Sequence, residues 1–343
     1  MHMADALLSP VVGGAMWAAA AGAIAFCSRK VKGDPNDRKA PFMGVLGAFI
    51  FAVQMINFTI PGTGSSGHLG GGMILAVLLG PAAAVVTIAS VLTVQALFFA
   101  DGGLLALGCN IFNLGVLPCF VAYPLVFKRL AGNYPTQSRI IGASILSSVL
   151  GLQLGAFAVA LETVSSGISA LPFRSFALVL QSVHLPIGII EGVVTAMVVN
   201  FVWKIQPEAL SDFARRKAAP IRPGILVGLL LTSLLVGGGL SWMASTQPDG
   251  LEWSVSQVAG SAELEASGKG VHSALNKLQQ RSTLLPGYAF RTKEGARETA
   301  AEGGEPWPLM DAGSTVSAVV GGTATLVIAF GFGWILRKRN GSI

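Results

Sequence analysis

The chain has 343 residues, of which 52% are hydrophobic and only 12% charged, with a mean hydropathy of +0.65. Soluble domains carry about a quarter charged residues, so a water-solvated globule is excluded and an all-α polytopic membrane protein is expected. The net charge of +6 is not a nucleic-acid footprint, because most Lys and Arg fall into four short clusters, at 29–39, 128–139, 204–222 and 337–339. Such clusters mark the cytoplasmic ends of spans.

Apolar helical stretches run near 10–28, 41–60, 71–99, 104–127, 140–163, 177–203, 224–244 and 314–336. The first is not a secretory signal, since its basic residues follow the apolar run instead of preceding it. With 29–39 in the cytoplasm, the N-terminus is expected outside. The second span then emerges near residue 60, so the loop "PGTGSSGHLG" at 61–70 shares that outer face with His2. Residues 71–127 must cross three times to return Lys128 and Arg129 to the cytoplasm, with breaks at Gly80-Pro81 and Asp101-Gly102-Gly103. Span 140–163 goes out and 177–203 returns to Lys204. After a cytoplasmic linker at 204–223, span 224–244 leads to a polar external segment at 245–313, and the last span ends at a cytoplasmic C-terminus. Nine spans are expected, seven in a core over 1–203 and two in a second domain over 224–343. The expected location is the cell (inner or plasma) membrane.

His2 is one of four histidines and stands beside the α-amino group. The amine of Met1, the amide nitrogen of His2 and its imidazole Nδ1 can hold one ion in a five- and a six-membered chelate ring. The amide must lose its proton, which suits ions that favour planar nitrogen donors, Ni(II) and Cu(II). His68 is the candidate for the fourth position. Asn57, at the end of the span feeding that loop, is placed to orient a histidine, whereas Gln54, Ser65 and Ser66 read as interfacial polarity. His184 and Glu191 lie within a span and share a helix face, where ionisable groups are costly and usually functional. His184 reads either as a hydrogen-bonding support for the site or as a neutral imidazole satisfied by a nearby carbonyl. Glu191 reads as a member of an ion path or as a carboxyl joining two helices. His272 reads as solvated, and Cys27, Cys109 and Cys119 as small buried hydrophobes. The sequence has neither a G-x-x-x-x-G-K-[ST] phosphate loop nor an H-E-x-x-H motif, so the chain itself is expected to be no ATPase and no metalloprotease.

The "MH" start, "QMINFTIPGTGSSGHLGGG", "QALFFADGGLLALGCNIFNLG" and "HLPIGIIEG" together resemble the substrate-binding S component of nickel/cobalt energy-coupling-factor (ECF) transporters. The later "PDGLEW" resembles the signature of the small two-span N component, here fused to the same chain. The resemblance implies a seven-helix core with its N-terminus tucked in from outside, and an ion held by Met1, His2 and His68. It also implies a transmembrane coupling (T) subunit and cytoplasmic ATPase subunits on separate chains. Pro248, Asp249, Gly250, Leu251 and Glu252 would then have an interaction role and not a ligand role. Ni(II) is favoured over Co(II), because four planar nitrogens suit a d⁸ ion. Ala4-Asp5 departs from the pair that usually follows in this family. A stand-alone channel or secondary carrier, with Glu191 in the path, is the alternative.

Overall fold

The computed structural model describes residues 2–33, 39–210, 221–260, 270–290 and 312–338. Met1 therefore lies outside the described residues, as do parts of the 204–223 linker and of the 245–313 segment.

Helix α1 spans Pro10–Lys32. Ser9 caps it by accepting from the Val12 N–H at 3.4 Å, and Pro10 fits the first turn, where an N–H has no helical partner. Its last turn carries Arg29, Lys30 and Lys32, which suits the negative end of the helix dipole. Helix α2, Lys39–Gln54, returns the chain to the end from which α1 started. A two-stranded antiparallel hairpin follows, β1 at Phe58–Ile60 and β2 at Ser65–Gly67, with Ile60 opposite Ser65 and Phe58 opposite Gly67.

The continuation differs from the sequence expectation in one respect. Helix α3, Gly72–Leu79, has only 8 residues, about 12 Å of helix against about 30 Å of hydrocarbon. Residues 68–71 lead into it as non-helical backbone buried in the bundle. Irregular backbone is tolerated there only if its polar groups find protein partners. Gly71 makes the turn at φ 77°, where a side chain would also strike Ile50. The two expected breaks are real: Gly80 (φ 80°, ψ 158°) separates α3 from α4, Pro81–Phe99, and Gly102 (φ 80°) lies between α4 and α5, Leu107–Ala131.

Helices α6, Gln137–Ser166, and α7, Phe173–Ile205, pack along their length. Gly188 and Gly192 of α7 lie against the backbone of Val149 and Ile145, the close approach that small residues permit in lipid. The second domain contributes α8, Pro223–Gly238, two short helices, α9 at Gly250–Ala259 and α10 at Gly270–Ser282, and α11, Ala312–Lys338. α11 and α8 both pack on α2, and Gly321 meets the Phe51 ring with no room for a Cβ.

Among the described residues six helices are long and apolar enough to cross a membrane: α1, α4, α5, α6, α7 and α11. Two shorter apolar helices, Ala40–Gln54 and Pro223–Gly238, accompany them. Exposed Leu178, Leu185, Met197, Leu231 and Val327 give the outer surface the apolar character that lipid requires. Lys32, Lys128, Arg129, Lys204 and Arg222 all sit at one end of the bundle. Residues 2–8, the end of α2 and the end of α4 meet at the other end.

Candidate metal centre

The opening residues are threaded into the protein. Met3 is wholly buried, and Asn110 of α5 grips its backbone, with Oδ1 accepting from Met3 N at 2.9 Å and Nδ2 donating to Met3 O at 3.4 Å. Gly103 N also donates to Met3 O at 2.9 Å. Asp5 accepts from Ala106 N at 3.0 Å, so a residue that departs from the family start is an anchor of the terminus. His2 is thereby held at the tip of a fixed segment, beside Gly102, which leaves room for its Cβ.

His68 reaches the same point from the other side. Glu191 accepts from Gly70 N at 2.8 Å and from Gly71 N at 3.2 Å, while Gln54 Nε2 donates to Gly70 O at 2.8 Å. Gln95 in turn donates to Gln54 Oε1 at 2.9 Å. The buried loop is thus satisfied by side chains of α2, α4 and α7. Gln54 and Ser66, read from sequence as interfacial polarity, are buried and hydrogen-bonded within this framework.

The His2 and His68 rings stack with centroids 4.8 Å apart and planes 14° from parallel. The two rings are close enough to reach one ion, but a metal lies in the plane of the imidazole that binds it, so joint ligation requires the stacked rings to turn. Nδ1 of His68 is engaged by Leu69 O at 3.1 Å, so Nε2 is the nitrogen suited to a metal. His2 differs from expectation: its Nδ1 lies 3.0 Å from Asp101 Oδ1, and its Nε2 is buried without a hydrogen-bond partner. Chelation through Nδ1 requires the ring to leave that contact. The physical reason is Asp101 itself, which reads in sequence only as part of a helix break and is in fact a carboxylate facing the histidine.

The second domain roofs the site. Pro248 O accepts from Ser66 N at 2.8 Å, and Gln247 O accepts from Ser66 Oγ at 2.8 Å. Asp249 caps α9 by accepting from Leu251 N and Glu252 N, both at 2.8 Å, and Glu252 accepts from Asp249 N at 3.2 Å, completing a capping box. Gly250 lies where a Cβ would stand 3.2 Å from His184 Cε1, and Leu251 is buried. Each residue of the P-D-G-L-E run therefore shapes or docks one helix start, against the loop that carries His68. Further out, Gln279 donates to Ala96 O at 2.9 Å and to Gly102 O at 2.8 Å. His272 corrects its sequence reading: it is buried, and Nε2 donates to Leu8 O at 2.8 Å.

Between roof and core is a cavity of about 500 Å³. Among the described residues its lining includes His2, His68, Asp5, Asp101, Asp249 and Glu252 but neither Lys nor Arg. Burial pushes the Asp101 and Asp249 carboxyls up, but nearby positive groups, His2 foremost at Asp101, together with hydrogen-bond donors pull harder and leave both below the usual range. Both are anionic at neutral pH, a setting that favours a cation.

Of the other candidates from sequence, Glu191 holds the His68 loop. Asn57 lines the cavity and takes Ser245 N on its carbonyl at 2.7 Å, without a side-chain hydrogen bond to either histidine. His184 Nδ1 donates to Leu180 O at 2.7 Å, and the ring supports Gly250 rather than the His68 loop. Asp101, Asn110 and Tyr288 are additions; the signal for Asn110 was a polar residue inside an apolar run. Among the described residues no three His, Cys, Asp or Glu side chains converge as a ligand set. An ion held between the two rings needs further donors, such as backbone nitrogens.

Residues 2–209 match the family described as the cobalt uptake substrate-specific transmembrane region, and residues 224–338 match the PDGLE domain. The chain is 34% identical over 263 residues to the fused nickel transport protein of Rhodobacter capsulatus, covering 71% of this chain and 74% of that one. It is 34% identical over 223 residues to a protein of Haloquadratum walsbyi named as a metal transport protein, covering 64% of this chain and 98% of that one. A crystal structure of a truncated transition metal transporter superposes with a TM-score of 0.53 at 29% identity, over 60% of this chain and 99% of that one. The chain belongs to the cobalt uptake substrate-specific transmembrane family, as a multi-pass nickel/cobalt-type metal transport protein with a PDGLE domain fused behind it.

Proposed function

We propose that this chain is the ion-capturing membrane subunit of an ATP-driven ECF importer and takes up Ni(II) at the extracytoplasmic face. The observation that carries the reading is the His2–His68 pair, 4.8 Å apart in a cavity lined by Asp5, Asp101, Asp249 and Glu252. It lies at the end of the bundle opposite the basic residues, which by the positive-inside rule is the outer end. The α-amine of Met1, the amide and imidazole of His2, and His68 supply four nitrogens in one plane. Asp101 and Asp249 favour a divalent cation over the empty cavity. Glu191 and Asn110 hold the two ligand-bearing segments in place, so that little ordering remains to be done when the ion arrives.

Residues 248–252 keep the second domain over the His68 loop, an interaction role with no ligation. His184 supports that turn from below and Asn57 forms part of the wall. The energy for uptake comes from a coupling T subunit and ATPase subunits on separate chains, in keeping with a sequence that has no phosphate loop.

Equilibrium dialysis of the purified protein should find one Ni(II) per chain. His2→Ala and His68→Ala should abolish tight binding, and one residue added before Met1 should do the same by moving the amine. Unchanged affinity in any of the three would sink the ligand assignment. Co(II) is the second reading, favoured by the cobalt in the description of the matched family. Direct competition between the ions decides it, with Ni(II) expected to displace Co(II) because planar nitrogen donors suit it better.

A further inference from the structure

We propose that Tyr288, supplied by the fused second domain, is a positioning residue of the metal site: its hydroxyl fixes Asp101, the carboxylate that faces His2. The proposal rests on the ion-capture reading above and extends the site into the second domain.

The two oxygens of Asp101 divide their partners. Oδ1 lies 3.0 Å from His2 Nδ1, and Oδ2 accepts from the Tyr288 hydroxyl. When the ring turns to present Nδ1 to the ion, its Nε2–H becomes the donor that faces this carboxylate, the partner a metal-bound histidine needs. The Asp101 backbone N–H donates to Gln95 O at 3.2 Å, but the carboxylate itself has only His2 and Tyr288 as hydrogen-bond partners among the described residues. Asp101 follows Ala100 in the left-handed region (φ 53°) and precedes Gly102 (φ 80°), in the break between α4 and α5. A carboxylate on such a turn gains a fixed direction only from a donor outside the turn.

Tyr288, by contrast, is firmly placed. Its ring stacks on Phe99 with centroids 5.0 Å apart and planes at 21°, and its edge-on contact with Phe51 spans 6.2 Å. Ser317 Oγ of α11 donates to its carbonyl at 3.0 Å. Its backbone sits at φ 64°, directly after Gly287 at φ 58°. Non-glycine residues avoid that region unless their surroundings impose it, and such residues concentrate at functional sites. The series Ser317, Tyr288, Asp101, His2 joins a membrane helix of the second domain to a proposed ligand. Packing alone would be served by a phenyl ring; the hydroxyl is what reaches the carboxylate.

The test uses the full chain with Ni(II) as the probe, reading affinity, the visible absorption of bound Ni(II), and the melting temperature without metal. Tyr288→Phe keeps the stacked ring and removes only the donor. It should weaken binding about tenfold and alter the Ni(II) spectrum, with the melting temperature unchanged. Asp101→Asn should weaken binding at least as much. The double variant should bind no more weakly than Asp101→Asn alone, because both substitutions break one linkage. Parent-like affinity in Tyr288→Phe overturns the proposal. So do losses that simply add in the double variant, and so does a loss accompanied by a lower melting temperature with an unchanged spectrum. His2→Ala and His68→Ala, measured in the same series, separate the two levels. If they still bind Ni(II), the ion-capture reading fails; if they lose it while Tyr288→Phe does not, only the role of Tyr288 fails.

Discussion

Glu191 is the most informative residue to perturb, because it acts on the site from inside the bundle. Its two oxygens accept from Gly70 N at 2.8 Å and Gly71 N at 3.2 Å, immediately after His68. Glu191→Gln keeps the shape but turns one acceptor into an NH₂ group that faces a backbone N–H. One hydrogen bond is lost and a buried donor is left without an acceptor, at a cost of about 1–3 kcal/mol. The Gly70 carbonyl stays held by Gln54, so the loop is loosened and not released. Taking about 2 kcal/mol from the conformation that presents His68 lowers Ni(II) affinity by up to about 30-fold. Titration calorimetry on the purified variant measures this, with Asn57→Ala as a control from the cavity wall. If Glu191→Gln matches the parent, or falls no further than the control, the claim that this carboxylate holds the loop is refuted.

Asn110→Ala leaves the Met3 N–H without its acceptor, so the terminus should wander and Ni(II) affinity should fall by about 10–100-fold; equilibrium dialysis would reveal it. Gly250→Val places a side chain where the Cβ already meets His184 and Val183 at 3.2 Å. It should lift the turn at 248–252 off Ser66 and speed limited proteolysis of residues 245–290 several-fold, and an unchanged cleavage rate would contradict the docking described here. Because the amine and the amide of the proposed ligand set must each lose a proton, Ni(II) affinity should rise steadily between about pH 6 and 8. A flat profile across that range would argue against backbone nitrogen ligation.

The sequence by itself determined the class, the long apolar helices and that His2 and His68 share one end. Apolar runs become helices because in lipid each segment must satisfy its own backbone hydrogen bonds. Gly80-Pro81 and Asp101-Gly102-Gly103 end helices wherever they occur, for local conformational reasons. Counting crossings was then enough to bring His2 and His68 to one end. Local rules did not reach what holds them there. Met3 is gripped by Asn110 across 107 positions, the His68 loop by Glu191 across 121, and Asp101 by Tyr288 across 187. The short α3 shows the same limit: residues 71–79 read as the start of a full span, yet the chain enters the bundle as a loop because distant side chains satisfy its backbone. Hydropathy and turn chemistry are properties of neighbouring residues, whereas a buried donor's partner is settled by packing. For that reason the Asp101–His2 contact, and the entry of the second domain into the site, were decided by the tertiary structure alone.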